Sequence, residues 1–158
     1  METRPHTIVS YCRGHSDLKD FFTSMLQDMG FTCECLDETC HSSEASIRAN
    51  IEAADCFIGL LTPDQPTENG ELTCSAATLI QLAVAHMAQK PVQLFAFDTV
   101  DVSEIVFPLS TNIARIQLFK TKFGKSIIFD ANNARLIFKT MLAFKQQVEQ
   151  TLLQKEKA

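Results

Sequence analysis

A single amide side chain interrupts an apolar helical segment near the middle of the sequence. Residues 75–97 read SAATLIQLAVAHMAQKPVQLFAF, and this segment has no charged residue other than Lys90. At about 100° per residue, the larger apolar side chains share one arc of the helix, and Gln81 lies opposite them among small side chains. A buried amide at this position can hydrogen-bond either a ligand or a neighbouring backbone group. Both interpretations predict that Gln81 is buried.

Three polar loops carry further groups that could bind a ligand. Each loop follows an apolar segment that is typical of a strand: YCRGHSD, LDETCHSS and LTPDQPTENGELT. Arg13, His15 and Ser16 in the first loop, and His41 and Ser42 in the second, are donors suited to an anion or a ribose. Loops are also polar simply because they face water, so each of these residues could be polar without binding a ligand.

These groups are held by an alternation of strands and helices. Strands are predicted at residues 6–12, 31–36, 55–63 and 91–97, and a weaker segment, ARIQLF or SIIFD, completes the sheet. Helices are predicted at 18–29, ending at Gly30, and at 43–54, 75–89 and 133–154. The pattern predicts an α/β fold, a flavodoxin-like three-layer sandwich around a central, mostly parallel sheet of about five strands. Ligands bind such sheets beyond the carboxyl ends of the strands.

Composition and charge limit the classes of partner. The chain has 158 residues, of which 46% are hydrophobic and 21% charged, as in an ordinary globular protein. We expect one domain, residues 1–158, ending in a long amphipathic helix. The formal charge of -5 argues against nucleic acid and anionic membranes as partners. No segment reaches the roughly 18 uninterrupted apolar residues of a membrane span.

The six cysteines favour free thiols over a disulfide framework or a metal site. Cys33, Cys35, Cys40 and His41 could supply four zinc ligands, but the C-x2-C spacing of a typical zinc site is missing. Alternation along a strand would place Cys33 and Cys35 on one face, as in a structural strand. We expect no metal, and the absence of a signal peptide predicts a reduced, cytoplasmic protein.

Three segments together resemble the bacterial TIR-like (Toll/interleukin-1 receptor-like) nucleotide-binding domains: IVSYC, IRANIEAADCFIGLLTPD and ATLIQLAVAHMAQKPVQLF. The shared pattern is a Ser-Tyr at the end of strand one, an apolar strand ending in Leu-Thr-Pro-Asp, and a helix N-V-x-x-E-L-G before a strand led by Pro-Val. The chain also resembles the nucleoside deoxyribosyltransferase relatives of the same architecture. The match covers about residues 6–97 and continues weakly to the C-terminal helix.

The resemblance implies a role for each matched residue. In active members of either group, the helix glutamate serves the ribose of NAD or of a nucleoside during cleavage of the N-glycosidic bond, and Gln81 takes its place here. The residues expected to bind substrate are Ser10, Tyr11, Arg13, His15, Thr62 and Asp64. The resemblance further implies NAD glycohydrolase chemistry in the parental form, with NAD as substrate or ligand and no separate cofactor. It also implies a homo-oligomer that acts as an effector or signalling module of immune defence.

The glutamine leaves several alternatives open. A neutral amide can hydrogen-bond ribose but cannot stabilise an oxocarbenium-like charge. The chain is therefore a natural pseudoenzyme, an enzyme whose glutamate was replaced by glutamine, or a chain in which the motif is misaligned. A noncatalytic nucleotide sensor or oligomerisation module is a further alternative, and a deoxyribosyltransferase would need a carboxylate in the site. The sequence also departs from the pattern in having no tryptophan and no Arg-rich segment before the helix. Asp64, Glu68 and Glu71 are possible replacement carboxylates.

Overall fold

Strands and helices alternate along the chain, as the sequence predicts. The structure is a computed structural model, and it describes residues 4–37, 44–63, 65–66, 72–73, 76–97, 100, 113–117, 119–120, 127–128 and 131–157. The elements in chain order are β1 (His6–Ser10), α1 (Ser16–Asp28), β2 (Thr32–Leu36), α2 (Glu44–Ala53), β3 (Cys56–Leu61), β4 (Gln65–Pro66), β5 (Leu72–Thr73), α3 (Ala76–Met87), β6 (Val92–Phe97), β7 (Ile113–Ile116), β8 (Phe119–Lys120), β9 (Ile127–Ile128) and α4 (Ala131–Lys157). A 3-10 turn, Arg13–His15, joins β1 to α1.

A five-stranded parallel sheet forms the centre of the fold. Its strand order is β2-β1-β3-β6-β7, and every neighbouring pair runs parallel. This confirms the predicted flavodoxin-like α/β architecture. The ARIQLF segment contributes to the fifth strand, β7, whereas the SIIFD segment supplies β9, which pairs antiparallel with β8 outside the main sheet.

Two helices cover each face of the sheet. The rings of Phe22 in α1 and Phe95 in β6 are 4.8 Å apart, which places α1 on the Phe95 face. The Nζ of Lys145 in α4 lies 3.7 Å from the position of a Cβ at Gly30, just beyond α1, so α4 shares that face. Helices α2 and α3 contact each other, and α3 contacts β3. The result is a three-layer sandwich.

The apolar patterns of the sequence account for the core. All six residues of β3 and all six of β6 are buried, as expected of central strands covered on both faces. In α4 the buried apolar residues are Ile137, Met141, Phe144 and Val148, while Leu136, which fits the same pattern, is exposed. Helix α1 ends at Asp28, and Gly30 has a φ of 95°, so the predicted stop at this glycine is confirmed. None of the described helices is long and apolar enough to cross a membrane.

Candidate functional site

Ser10 ends β1 at the carboxyl edge of the parallel sheet. In register it lies between Leu36 of β2 and Gly59 of β3. Its side chain is fully buried, and its Oγ donates a 2.5 Å hydrogen bond to Oε1 of Gln81 in α3. After β1 the chain forms β2, which pairs with one side of β1, and then β3, which pairs with the other side. β1 therefore borders the topological switch point, where sheets of this kind bind ligands.

Helix α3 turns its polar and small side chains towards the sheet. The buried residues of this helix are Thr78, Gln81, Leu82, Val84 and Ala85. Gln81 is 3% exposed, which confirms its predicted burial, whereas Ile80 and Met87 on the apolar arc are exposed. The helix therefore gives up part of its apolar burial to place an amide beside Ser10.

Gly59 shapes the sheet surface next to Ser10. Gly59 pairs with Ser10 on one side and with Leu94 of β6 on the other. A Cβ at Gly59 would lie 2.7 Å from Cδ2 of Leu94, so the leucine occupies the space that a side chain on β3 would need. Neighbouring positions in parallel strands share a face, and Leu94 is adjacent to Phe95, so this surface is the face opposite α1.

One end of the Gln81 amide lacks a hydrogen-bond partner within the described part of the chain. Oε1 accepts from Ser10, but no described residue accepts from Nε2. A buried donor without a partner costs about 1–3 kcal/mol, so such groups usually meet a ligand or water. Rotating the amide by 180° would exchange the oxygen and nitrogen and would still leave one end unpaired. The geometry thus presents a buried hydrogen-bonding group at the carboxyl edge.

Tyr11 follows Ser10 but lies on the α1 side of the sheet edge. Its hydroxyl donates to Oδ2 of Asp37 at 3.3 Å, and Nζ of Lys19 in α1 is 5.4 Å from its ring centroid. Partial burial, followed by the negative charge of Asp37, raises the pKa of Tyr11 above its ordinary value. The phenol remains protonated at neutral pH and acts as a donor. Asp37 was not singled out from the sequence, although it directly follows β2.

The turn after β1 reaches the end of β6. Arg13 is exposed in this turn, and Ser16 Oγ donates to its carbonyl oxygen at 2.7 Å. The ring of His15 packs edge-on against Phe97, the last residue of β6, with centroids 6.0 Å apart. His15 therefore lies at the same carboxyl edge, on the α1 side. Phe97 was missed because the sequence shows it only as part of an apolar strand.

Arg115 of β7 fixes the chain where it leaves β6. Its Nη1 donates to the carbonyl oxygens of Phe97 at 2.9 Å and Val100 at 2.8 Å. Because Phe97 contacts His15, this guanidinium supports the turn that carries His15. A single arginine in a strand gave no signal of this role in the sequence, since both acceptors are backbone groups.

The predicted site residues fall into two groups. Ser10 and Gln81 are in direct contact on the α3 side, while Tyr11 and His15 occupy the α1 side. Thr62 is buried directly after β3, which also places it at the carboxyl edge. The last predicted substrate-binding residue, Asp64, lies outside the described residues, as do the candidate residues His41 and Ser42 and the alternative carboxylates Glu68 and Glu71.

The described cysteines are free thiols: Cys12, Cys33, Cys35 and Cys56. Burial raises the pKa of Cys33 to about 11 and that of Cys56 to about 12, so both are protonated at neutral pH. Within the parts of the chain that the structure covers, no three His, Cys, Asp or Glu side chains are grouped to hold a metal ion. Cys40 and His41, the other two ligands considered for zinc, lie outside those parts.

The burial of Cys56 predicts a loss of stability at alkaline pH. Its folded pKa of about 12 exceeds the ordinary 9.0, so its contribution is complete below about pH 9 and declines as the pH rises towards 12. One such group changes the free energy of unfolding by up to about 1.4 kcal/mol per pH unit. We expect Cys56→Ala to flatten this decline in urea titrations above about pH 9. Cys12→Ala is the control, and parallel pH profiles for the unmodified chain and Cys56→Ala would contradict the assignment.

Comparison with solved structures gives distant similarity only. No protein-family model and no curated protein matches the chain. Among solved structures, the chain is similar to the CMP N-glycosidase of Clostridium botulinum, with a TM-score of 0.47 and 15% sequence identity. The match covers 75% of this chain and 93% of the glycosidase chain.

Proposed function

We propose that the carboxyl edge of the sheet binds the ribose of NAD or of a related nucleotide, with Gln81 at the position of a TIR-like catalytic glutamate. The observation that carries this proposal is the buried Gln81 amide, which Ser10 holds at one end while the other end lacks a described partner. A ribose hydroxyl can accept from Nε2, and in the rotated amide it can donate to the oxygen. Either contact satisfies a group that is otherwise costly to bury.

The same geometry supports binding rather than catalysis by the present chain. In a glycohydrolase, the bond between nicotinamide and ribose breaks with its electron pair moving to nicotinamide. Water then adds to the ribose carbon, releasing a proton and ADP-ribose. Positive charge develops on the ribose in the transition state, and a carboxylate stabilises it far better than a neutral amide does. Gln81 therefore favours a nucleotide-sensing module over a turnover enzyme, and glycohydrolase chemistry belongs to the glutamate form.

The remaining site residues have roles consistent with this proposal. Ser10 holds the Gln81 side chain in place, and Tyr11 and His15 lie on the α1 side of the same carboxyl edge. Arg13, exposed in the adjacent turn, is placed to attract a phosphate. Thr62 lies at the same edge directly after β3, and the resemblance adds Asp64 to the substrate-binding residues. The role in immune defence rests on the TIR-like resemblance.

Binding of NAD and ADP-ribose by Gln81→Leu tests the proposal. Loss of one amide hydrogen bond is worth about 0.5–1.5 kcal/mol, so we expect affinity to fall roughly 2- to 12-fold in calorimetric titrations. The matched control is Gln93→Leu, which removes another buried amide, on β6, and should leave affinity unchanged.

The thermal midpoint separates loss of binding from loss of folding. Gln81→Leu removes an amide with one unpaired end but leaves the buried Ser10 hydroxyl without its acceptor, so we expect a folded chain whose free energy of unfolding is lower by about 1–3 kcal/mol. Failure of both nucleotides to bind the unmodified chain, or equal binding by the unmodified chain and Gln81→Leu, would refute the proposal.

A further inference from the structure

We infer that Asp37 binds the 2′-hydroxyl of the adenosine ribose, so that the carboxyl edge accepts NAD and rejects NADP; this inference rests on the proposed function. Asp37 directly follows β2, whose last residue, Leu36, pairs with Ser10 of β1 in the parallel register. The backbone N–H of Tyr11 donates to the carbonyl oxygen of Leu36 at 3.0 Å, so the pairing of the two strands continues past the end of β1. Asp37 therefore lies at the carboxyl edge, one strand away from Ser10, at about the 4.8 Å spacing of paired strands.

The end of β1 separates two polar groups that could each contact a ribose. Ser10 and Tyr11 are consecutive, so their side chains point to opposite faces of the sheet. Ser10 contacts Gln81 on the α3 side, and Tyr11 contacts Asp37 on the α1 side. A dinucleotide carries two riboses joined by a pyrophosphate, and doubly wound sheets bind dinucleotides across the switch point. With the nicotinamide ribose at Gln81, the pyrophosphate crosses the end of β1 and the adenosine ribose lies on the Asp37 side.

Tyr11 fixes a carboxylate that suits a ribose hydroxyl. The Tyr11 hydroxyl donates to Oδ2 of Asp37 at 3.3 Å, which limits the rotation of the carboxylate. A carboxylate has about four acceptor positions and no donor, so Asp37 can accept from a ribose hydroxyl while it accepts from Tyr11. A hydrogen bond to a charged acceptor is about twice as strong as one between neutral groups. The free 2′-hydroxyl of NAD supplies the donor that this carboxylate requires.

The same carboxylate opposes the 2′-phosphate of NADP. A phosphate monoester carries a charge of about −1.5 to −2 at pH 7, and like charges that face each other weaken binding. The negative charge of Asp37 already acts on its neighbour, since it is the next cause, after partial burial, of the raised pKa of Tyr11. Lys19, the cation beside the Tyr11 ring, pairs with Asp20, whose Oδ1 is 2.7 Å from its Nζ. The α1 side therefore suits a neutral hydroxyl better than a phosphate.

Calorimetric titration with NAD and with NADP tests the inference. A hydrogen bond to a charged group contributes a factor of at least about ten, so we expect the unmodified chain to bind NAD at least about tenfold more tightly than NADP. Asp37→Asn keeps an acceptor for Tyr11 but removes the charge, so it should bind NADP more tightly and lose most of this preference. Glu34→Gln is the matched control, because it removes a carboxylate from the middle of the same strand and should leave the preference unchanged. Circular dichroism should show both variants folded.

Gln81→Leu separates failure of the inference from failure of the proposed function. It removes a contact to the other ribose, so it should weaken the binding of NAD and NADP by the same factor and leave their ratio unchanged. If NAD binds the unmodified chain but NADP binds equally well or better, or if Asp37→Asn keeps the full preference, the inference is overturned while the proposed function stands. If neither dinucleotide binds the unmodified chain, or if Gln81→Leu binds NAD as tightly, the proposed function fails and the inference fails with it.

Discussion

Gln81→Glu is expected to raise the rate of NAD hydrolysis by at least about 100-fold over the unmodified chain, at the low end of what a positioned catalytic carboxyl contributes. Ser10 would then donate its hydrogen bond to a carboxylate oxygen rather than to an amide oxygen, since glutamate and glutamine are nearly the same size. The substitution adds a negative charge where positive charge develops on the ribose in the transition state. Nicotinamide release at high protein concentration is the measurement.

The environment of residue 81 sets the charge of the new carboxyl. Its burial raises the pKa of a carboxyl, whereas the hydrogen bond donated by Ser10 favours the ionised form. Ser10→Ala combined with Gln81→Glu should therefore lose much of the gained activity. Adding Ser10→Ala without effect would show that the hydrogen bond does not tune the carboxyl.

Gln93→Glu is the control for a buried carboxyl placed elsewhere in the fold. Gln93 is buried in β6 on the face opposite Ser10, so its glutamate variant should release no nicotinamide. Absence of turnover in Gln81→Glu under conditions where NAD binds would exclude the glycohydrolase part of the proposal and leave nucleotide sensing. Rapid turnover by the unmodified chain would show that Gln81 does not limit catalysis.

Phe95→Ala is expected to lower the free energy of unfolding by about 3–5 kcal/mol, the usual cost of truncating a buried phenylalanine. Phe95 is fully buried in the fourth strand of the sheet and packs on Phe22 of α1. Its loss removes apolar contacts and leaves a cavity between the sheet and α1. Urea unfolding followed by circular dichroism measures the change.

Phe138→Ala is the control that shows whether the loss of stability comes from the burial of Phe95 or from the loss of any phenylalanine. Phe138 is 50% exposed on α4, and a surface substitution of this kind usually changes stability by no more than about 0.5 kcal/mol. Similar losses in Phe138→Ala and Phe95→Ala would contradict the placement of the core between α1 and β6.

The alternation of strands and helices predicted the sheet because the central strands are almost continuously apolar. The orientation of α3 could not be read in the same way, since one arc of this helix is apolar and the other is made of small residues with one amide. Tertiary contacts set the orientation of α3. The side of the helix that carries Gln81 contacts Ser10 of the sheet, and Ile80 and Met87 are exposed to solvent. The exposure of Leu136 has the same origin, because a helical pattern gives spacing but not the width of the buried face.

The candidate site was predicted in part. Ser10 and Gln81 were assigned to one pocket through the family resemblance, and the structure brings them into contact. Asp37, Phe97 and Arg115 were missed because their contacts join segments that are distant in sequence. Arg115 in particular binds backbone carbonyl oxygens, and any residue type could supply those acceptors.

Under the proposed function, the Ser10 to Gln81 hydrogen bond would also couple ligand occupancy to the local stability of α3. This bond joins the helix to β1 across 71 positions of the chain, so opening of the helix disrupts the amide site. A nucleotide that hydrogen-bonds the amide would bind only while α3 is packed on the sheet. Its binding energy would therefore make local opening of α3 less favourable. Ile80 and Met87 are exposed on the outer side of the same helix, so a ligand bound on the inner side would also reduce the opening of this outer surface.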